Sequence, residues 1–128
     1  MRSSLPMRVL VVDDHRDTAD SLACVLLNIG YEVRAAYDAA SAIRAFEEFS
    51  PDVLLQDLVL PGRDGLEIAR EIRKRPASKR AFLVAITGLN KAAARYASAV
   101  AAFDHLIVKP VGLNELKEAL ARASSRPA

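Results

Sequence analysis

The stretch VLLQDLVLPGRDG, residues 53–65, decides the fold of this 128-residue chain. An apolar run passes through Gln56, stops on a single acid, Asp57, and meets Pro61-Gly62 shortly afterwards. A short apolar run closed by a turn signal reads as a strand buried on both faces. Such strands belong to parallel sheets with helices packed above and below. The same shape recurs along the chain: RVLVVDD (8–14), YEVRAA (31–36), DVLLQD (52–57), AFLVAIT (81–87) and HLIVK (105–109) predict five strands, the second polar enough to lie at an edge.

Helical patterns fill the intervals. DTADSLACVLLNIG (17–30) carries Leu22, Leu26 and Ile29 at helical spacing and stops at Gly30, a residue suited to the left-handed position after a helix. DAASAIRAFEEFSP (38–51) places Ile43 and Phe46 on one face and ends before Pro51, and GLEIAREIRKR (65–75) does the same with Leu66, Ile68 and Ile72. NKAAARYASAVAA (90–102), with Asn90 as its cap, and NELKEALARA (114–123) complete the series. Strand and helix alternating five times predict an α/β fold: an open, doubly wound parallel sheet with right-handed crossovers and strand order 2-1-3-4-5.

The bulk numbers agree with one domain. A chain of this length buries roughly two thirds of its unfolded surface, and 52% hydrophobic with 27% charged residues is ordinary globular composition. No run approaches the ~18 apolar residues of a membrane span. The leader MRSSLP (1–6) lacks an apolar core, and Cys24 is a lone thiol, so the expected location is cytoplasmic. The expected unit runs from 7 to 123, with 124–128 as a short tail. Residues 1–60 hold five basic and ten acidic groups, and residues 61–128 hold thirteen and six. RKRPASKR (73–80), the densest basic piece, lacks interleaved aromatics and straddles a proline, which makes it a solvated connector and not a nucleic-acid patch.

In open α/β sheets, ligands bind beyond the carboxyl ends of the strands. Here strand one ends in Asp13-Asp14, strand three in Asp57, strand four in Thr87 and strand five in Lys109. With strand one beside strand three, three carboxylates converge, and charges of one sign at that range oppose their own ionisation. A hard divalent cation resolves the conflict, and Mg²⁺ suits one or two carboxylates plus phosphate oxygens. Beside such an ion a carboxylate is a nucleophile toward phosphorus. Asp57 stands alone and is the acceptor candidate, Lys109 a point charge for a phosphoryl oxygen, and the Thr87 hydroxyl a hydrogen-bond donor to another. His15 and His105 have no nucleophile beside them in sequence and read as surface or packing residues; Cys24 reads as inert packing in the first helix.

With VLVVDD, DVLLQDLVLPGRDG, AIT followed by Gly88, and HLIVKP in place, residues 7–123 resemble a receiver domain of the response-regulator family of two-component signalling. The resemblance implies a flavodoxin-like (βα)5 fold. It casts Asp57 as phospho-acceptor, Asp13 and Asp14 as the metal pair with Asp14 the direct ligand, and the Val59 carbonyl as a further ligand. Thr87 becomes the switch hydroxyl, Lys109 the phosphate-contacting lysine, and Lys109-Pro110 a cis bond. It further implies Mg²⁺ as cofactor and a histidine kinase or histidine phosphotransfer domain as phosphate source. An unidentified downstream protein would read the state through the fourth helix, fifth strand and fifth helix. No direct nucleic-acid or membrane contact is expected, the chain acting as a monomer or weak dimer. It would catalyse its own phosphorylation without being a turnover enzyme. The same residues would suit a receiver cut from a larger regulator or hybrid histidine kinase.

Departures from the family pattern carry their own expectations. Leu106 stands where a switch aromatic is usual, and Ala102 where the fourth helix usually ends on Gly, a left-handed position that would cost a residue bearing Cβ about 1 kcal/mol. Val59 and Leu89, two residues beyond Asp57 and Thr87, are apolar and cannot orient a water, so self-dephosphorylation should be slow. Val59 also excludes a dehalogenase-like phosphatase, which needs a second acid there. The loop DDHRD (13–17), acidic and without glycine, would repel a nucleotide phosphate.

Overall fold

The computed structural model describes residues 7–60, 63–88 and 101–125. Its main elements are β1 (Arg8–Val12), α1 (Arg16–Ile29), β2 (Glu32–Ala36), α2 (Ala39–Phe49), β3 (Val53–Asp57), α3 (Gly65–Arg73), β4 (Phe82–Thr87), β5 (His105–Val108) and α4 (Leu113–Ser124). Two residues on each side, Val59–Leu60 and Arg63–Asp64, form a small antiparallel ribbon ahead of α3, and a 3₁₀ turn covers Pro76–Arg80. The sheet runs β2-β1-β3-β4-β5 with every pairing parallel, the predicted order. The helix expected over 90–102 lies outside the described residues apart from its last two, Ala101 and Ala102, which are helical; Asn90 and Leu89 lie outside them as well.

Alternation along each strand divides the core into two layers. Val9, Val11, Val53, Leu55, Val84 and Ile86 face α1 and α4, meeting Leu26, Leu116 and Leu120. Leu10, Val12, Leu54, Leu83 and Ala85 face α2 and α3, meeting Phe46, Ile68 and Ile72. Central β3 is buried at all five residues, whereas β2 alternates exposed and half-buried positions up to its last residue, the buried Ala36, as an edge strand does. Phe46 is fully buried, and truncating such a side chain to Ala costs about 3–5 kcal/mol.

Local chemistry sets the element ends. Gly30 takes φ 120°, a conformation that penalises any Cβ, and its N–H reaches the carbonyls of Leu26 and Leu27. Asp38 caps α2 by accepting from the Ser41 N–H at 2.8 Å. The basic connector is tied to acids: Arg73 pairs with Asp104 at 2.9 Å, and Arg75 with Glu47 and Glu71. Asp104 also accepts from the Leu83 N–H at 2.8 Å, fastening the start of β4 to the end of α3.

Three expectations are corrected. Cys24 is exposed, because it lies two residues from both Leu22 and Leu26 and so turns away from the face they share. Ile29 is 42% exposed because α1 ends there and the chain turns at Gly30, leaving Tyr31 to pack on the core. Ala102 carries no left-handed strain: Ser50, which closes α2, is the one non-glycine residue with positive φ among the described residues.

Candidate functional site

Every strand that was expected to end on a reactive group delivers it to one edge of the sheet. β1 and β3 are adjacent, with Val12 opposite Gln56, so the residues that follow, Asp13 and Asp57, emerge side by side. A carboxylate oxygen from each of Asp13, Asp14 and Asp57 lies within 4.8 Å of the others. Asp57 and Asp13 are buried, and Asp14 is exposed. From β5, Lys109 reaches across β4 and donates from Nζ to Asp57 Oδ2 at 3.2 Å. Thr87, fully buried, ends β4 between them, and its carbonyl accepts from the Lys109 N–H at 2.8 Å. The Lys109–Pro110 bond is cis.

Each acid is held by the local fold. The Asp13 N–H donates to the Ala36 carbonyl at 3.1 Å, and its Oδ1 accepts from the His15 N–H at 2.9 Å. Burial raises the Asp13 carboxyl above the ordinary carboxylate range; the Asp57 and Asp14 carboxylates push it further up, while the His15 N–H and the Lys109 ammonium pull it down. Beyond Asp57, the Leu58 N–H bonds to the Ile86 carbonyl and the Gly65 N–H to the Leu58 carbonyl, so the chain leaves the strand by a tight path into α3. A Cβ on Gly65 would lie 2.7 Å from the Asp57 carbonyl oxygen. Glycine therefore permits α3 to start directly against the acid's own backbone.

A buried pair of carboxylates with a third at its rim is a poor arrangement on its own and a good one around a hard cation. The donor set is all oxygen, which fits Mg²⁺. A groove of about 980 Å³ leads from Asp13 and Lys109 between α1 and the segment preceding α4, past Leu22, Val25 and Leu113. Sequence reasoning missed this groove, since its walls come from opposite ends of the chain.

The remaining expected residues are placed as follows. Val59 opens the small ribbon opposite Asp64. Leu106 is half-buried on β5 opposite Ala85, packed against the α2–α3 layer. His105 stacks on Phe82 with ring centroids 6.5 Å apart, and His15 is exposed just before α1, where its backbone N–H, and no side-chain contact among the described residues, serves Asp13. Gln56, which the sequence reading passed over, is completely buried one residue before Asp57. Its signal was a polar side chain inside a run otherwise covered on both faces. No helix among the described residues is long and apolar enough to cross a membrane.

A family model described as the response regulator receiver domain matches residues 9–121. Among solved structures, a putative response regulator from Chloroflexus aurantiacus is 30% identical, with 94% of this chain and 99% of that one covered at a TM-score of 0.84. The Thermotoga maritima response regulator TrrA, solved with Mg²⁺ and BeF, is 32% identical over 91% of this chain and 98% of that one, with a TM-score of 0.79. NtrX from Brucella abortus, solved with ATP, is 30% identical over 93% of this chain but 27% of its own length, at a TM-score of 0.81.

Proposed function

The chain belongs to the response regulator receiver family, and from that premise we propose that it accepts a phosphoryl group on Asp57 from a phosphohistidine of a histidine kinase or phosphotransfer domain, in the unit 7–123. The observation that carries this reading is the buried Asp57 carboxylate, 3.2 Å from the Lys109 ammonium and within 4.8 Å of the Asp13 and Asp14 carboxylates. Asp13, Asp14, Asp57 and the Val59 carbonyl would hold Mg²⁺, which when bound neutralises charge on the phosphoryl oxygens.

The chain's own groups do the rest. An Asp57 carboxylate oxygen attacks phosphorus as the bond to the donor's imidazole nitrogen breaks, and the electron pair of that bond stays with the ring. Lys109 leaves its contact with Asp57 Oδ2 for an oxygen of the arriving phosphoryl group, so its charge follows the negative charge. The Thr87 hydroxyl donates to a second phosphoryl oxygen, which draws the end of β4 toward Asp57. Such a shift selects between two packings of the sheet edge and alters the surface that a downstream protein reads. Positioning and charge neutralisation carry the reaction, as is general for phosphoryl transfer. This is a signalling module of the cytoplasm, acting through protein contacts.

Incubation with Mg²⁺ and a small phosphodonor should give an acid-stable, base-labile phosphate that is lost in Asp57→Asn. Equal labelling of that variant would overturn the assignment. A second reading, that the chain is the receiver of a larger regulator or hybrid kinase, is favoured by its match to 27% of NtrX; the size of the native polypeptide in its own cells decides between them.

A further inference from the structure

Gln56 is the least expected residue of the core. It is 0% exposed, it faces Val12 on β1 and Ala85 on β4, and it shares its side of the sheet with Leu54 and Leu58. Its Oε1 has no hydrogen-bond partner among the described residues. A buried acceptor left unmatched destabilises the fold, and a Leu or Met of similar volume would fill the place without that penalty. What the amide does provide is a donor: Nε2 lies 3.0 Å from the carbonyl oxygen of Asp57.

We infer that Gln56 is a positioning residue for phosphoryl transfer, its amide fixing the peptide that leaves Asp57; the inference rests on the reading of Asp57 as the acceptor. That peptide is held at both ends, since Gln56 Nε2 binds its carbonyl and its N–H, on Leu58, bonds to Ile86 at 3.1 Å. The next carbonyl, of Leu58, accepts from the Gly65 N–H at 3.0 Å. The peptide is the pivot between the Asp57 carboxylate and the Val59 carbonyl. A tilt about it displaces both groups at once, and a misplacement of ~1 Å can slow a reaction by about 100-fold. Stability is given up at Oε1 so that Nε2 can hold the acceptor still.

The test uses Gln56→Met and Gln56→Leu in the full chain, with wild type and Asp57→Asn beside them. Thermal unfolding is followed without phosphodonor, and labelling is followed with Mg²⁺ over a range of acetyl phosphate concentrations. Removal of the unmatched acceptor leaves the melting temperature unchanged or raises it by a few degrees. Loss of the clamp lowers the saturated labelling rate about 10-fold or more, with the half-saturating donor concentration unchanged to within about 2-fold. Stability and rate thus move in opposite directions, which a merely structural role would not produce. Labelling at the wild-type rate while Asp57→Asn stays unlabelled overturns this inference alone. A variant that fails to fold, or that loses stability and rate together, makes Gln56 a packing residue and also overturns it. Wild-type labelling of Asp57→Asn would instead remove the acceptor reading on which the inference stands.

Discussion

Replacing Gly65 with Ala puts one methyl group where the backbone already is. The added Cβ would lie 2.7 Å from the Asp57 carbonyl oxygen, 2.7 Å from Leu58 Cα and 2.8 Å from the Leu58 carbonyl oxygen, whereas ordinary contact begins near 3.4 Å. All three neighbours are main-chain atoms, so no side chain can swing aside, and the start of α3 must retreat by about 0.7 Å from the end of β3. Overpacking of this kind costs typically about 1–3 kcal/mol. Against it stands the ordinary benefit of Gly→Ala where φ is negative, about 0.4–1 kcal/mol from a less flexible unfolded chain. The net expectation is a loss of about 1–2 kcal/mol, or a melting point lower by roughly 4–10 °C for a domain of this size. Because the displaced atoms belong to Asp57 and Leu58, labelling by acetyl phosphate should slow as well. Gly88→Ala is the control: a Cβ there meets nothing within 4 Å among the described residues, and the melting point should hold. Circular dichroism on the two variants decides the matter. A Gly65→Ala protein as stable as wild type would refute the claim that α3 is packed onto the backbone of Asp57 and Leu58.

Other outcomes follow from the same geometry. Val59 and Leu89 offer no polar group to hold an attacking water, so the phosphorylated protein should decay over many minutes in Mg²⁺, and Val59→Asn should hasten decay; a wild-type half-life of seconds would contradict this. Asp13 has a carboxyl raised above its ordinary 3.8, so the folded state binds more protons than the unfolded one and stability without divalent cations falls as pH rises from 3.8 through the raised value. Asp13→Asn should flatten that slope and raise the melting point at neutral pH in EDTA; an unchanged slope would show that Asp13 is not its source. Asp104→Ala strands the Leu83 N–H and should cost about 1–2 kcal/mol in urea unfolding. Asp104→Asn keeps an acceptor and should lose less than half of that, an ordering that fails if the Arg73 pair, with its side chains about one third exposed, supplies the stability instead.

Much of this was legible because strand burial and strand ends are local signals. The apolar runs around Leu10, Leu54 and Val84 marked the central strands, and the polar residues that stopped them marked the reactive edge. Helix faces were less legible. Leu22 and Leu26 turn inward as spacing predicts, yet spacing cannot say where the sheet beneath them ends, so Ile29 and Cys24, apolar in sequence, lie exposed. Ala102 was expected to be strained by analogy with a glycine, but strain depends on a dihedral that no residue name contains. Gln56 was invisible for a different reason. A buried amide matters through one bond to a neighbour's carbonyl, and nothing in VLLQD distinguishes that bond from a polar interruption. The groove beside Lys109 joins α1 to residues near 110, and such a distant pairing is known once the topology is.

β5 is the outer strand of the sheet, four residues long, paired on one side only among the described residues and ending on an exposed Val108. Lys109 hangs from it, while Asp57 belongs to the central strand. The two halves of the ion pair therefore sit in regions of unequal protection against solvent exchange, since edges open locally at a fraction of the global unfolding free energy. Amide deuteration should reach Ile107 before Leu54 or Leu55. Each such opening withdraws the ammonium and leaves the carboxylates behind, so the fraction of time the site is whole is governed at the rim of the sheet. A contact that quiets β5 would keep the site whole for longer without touching Asp13, Asp14 or Asp57.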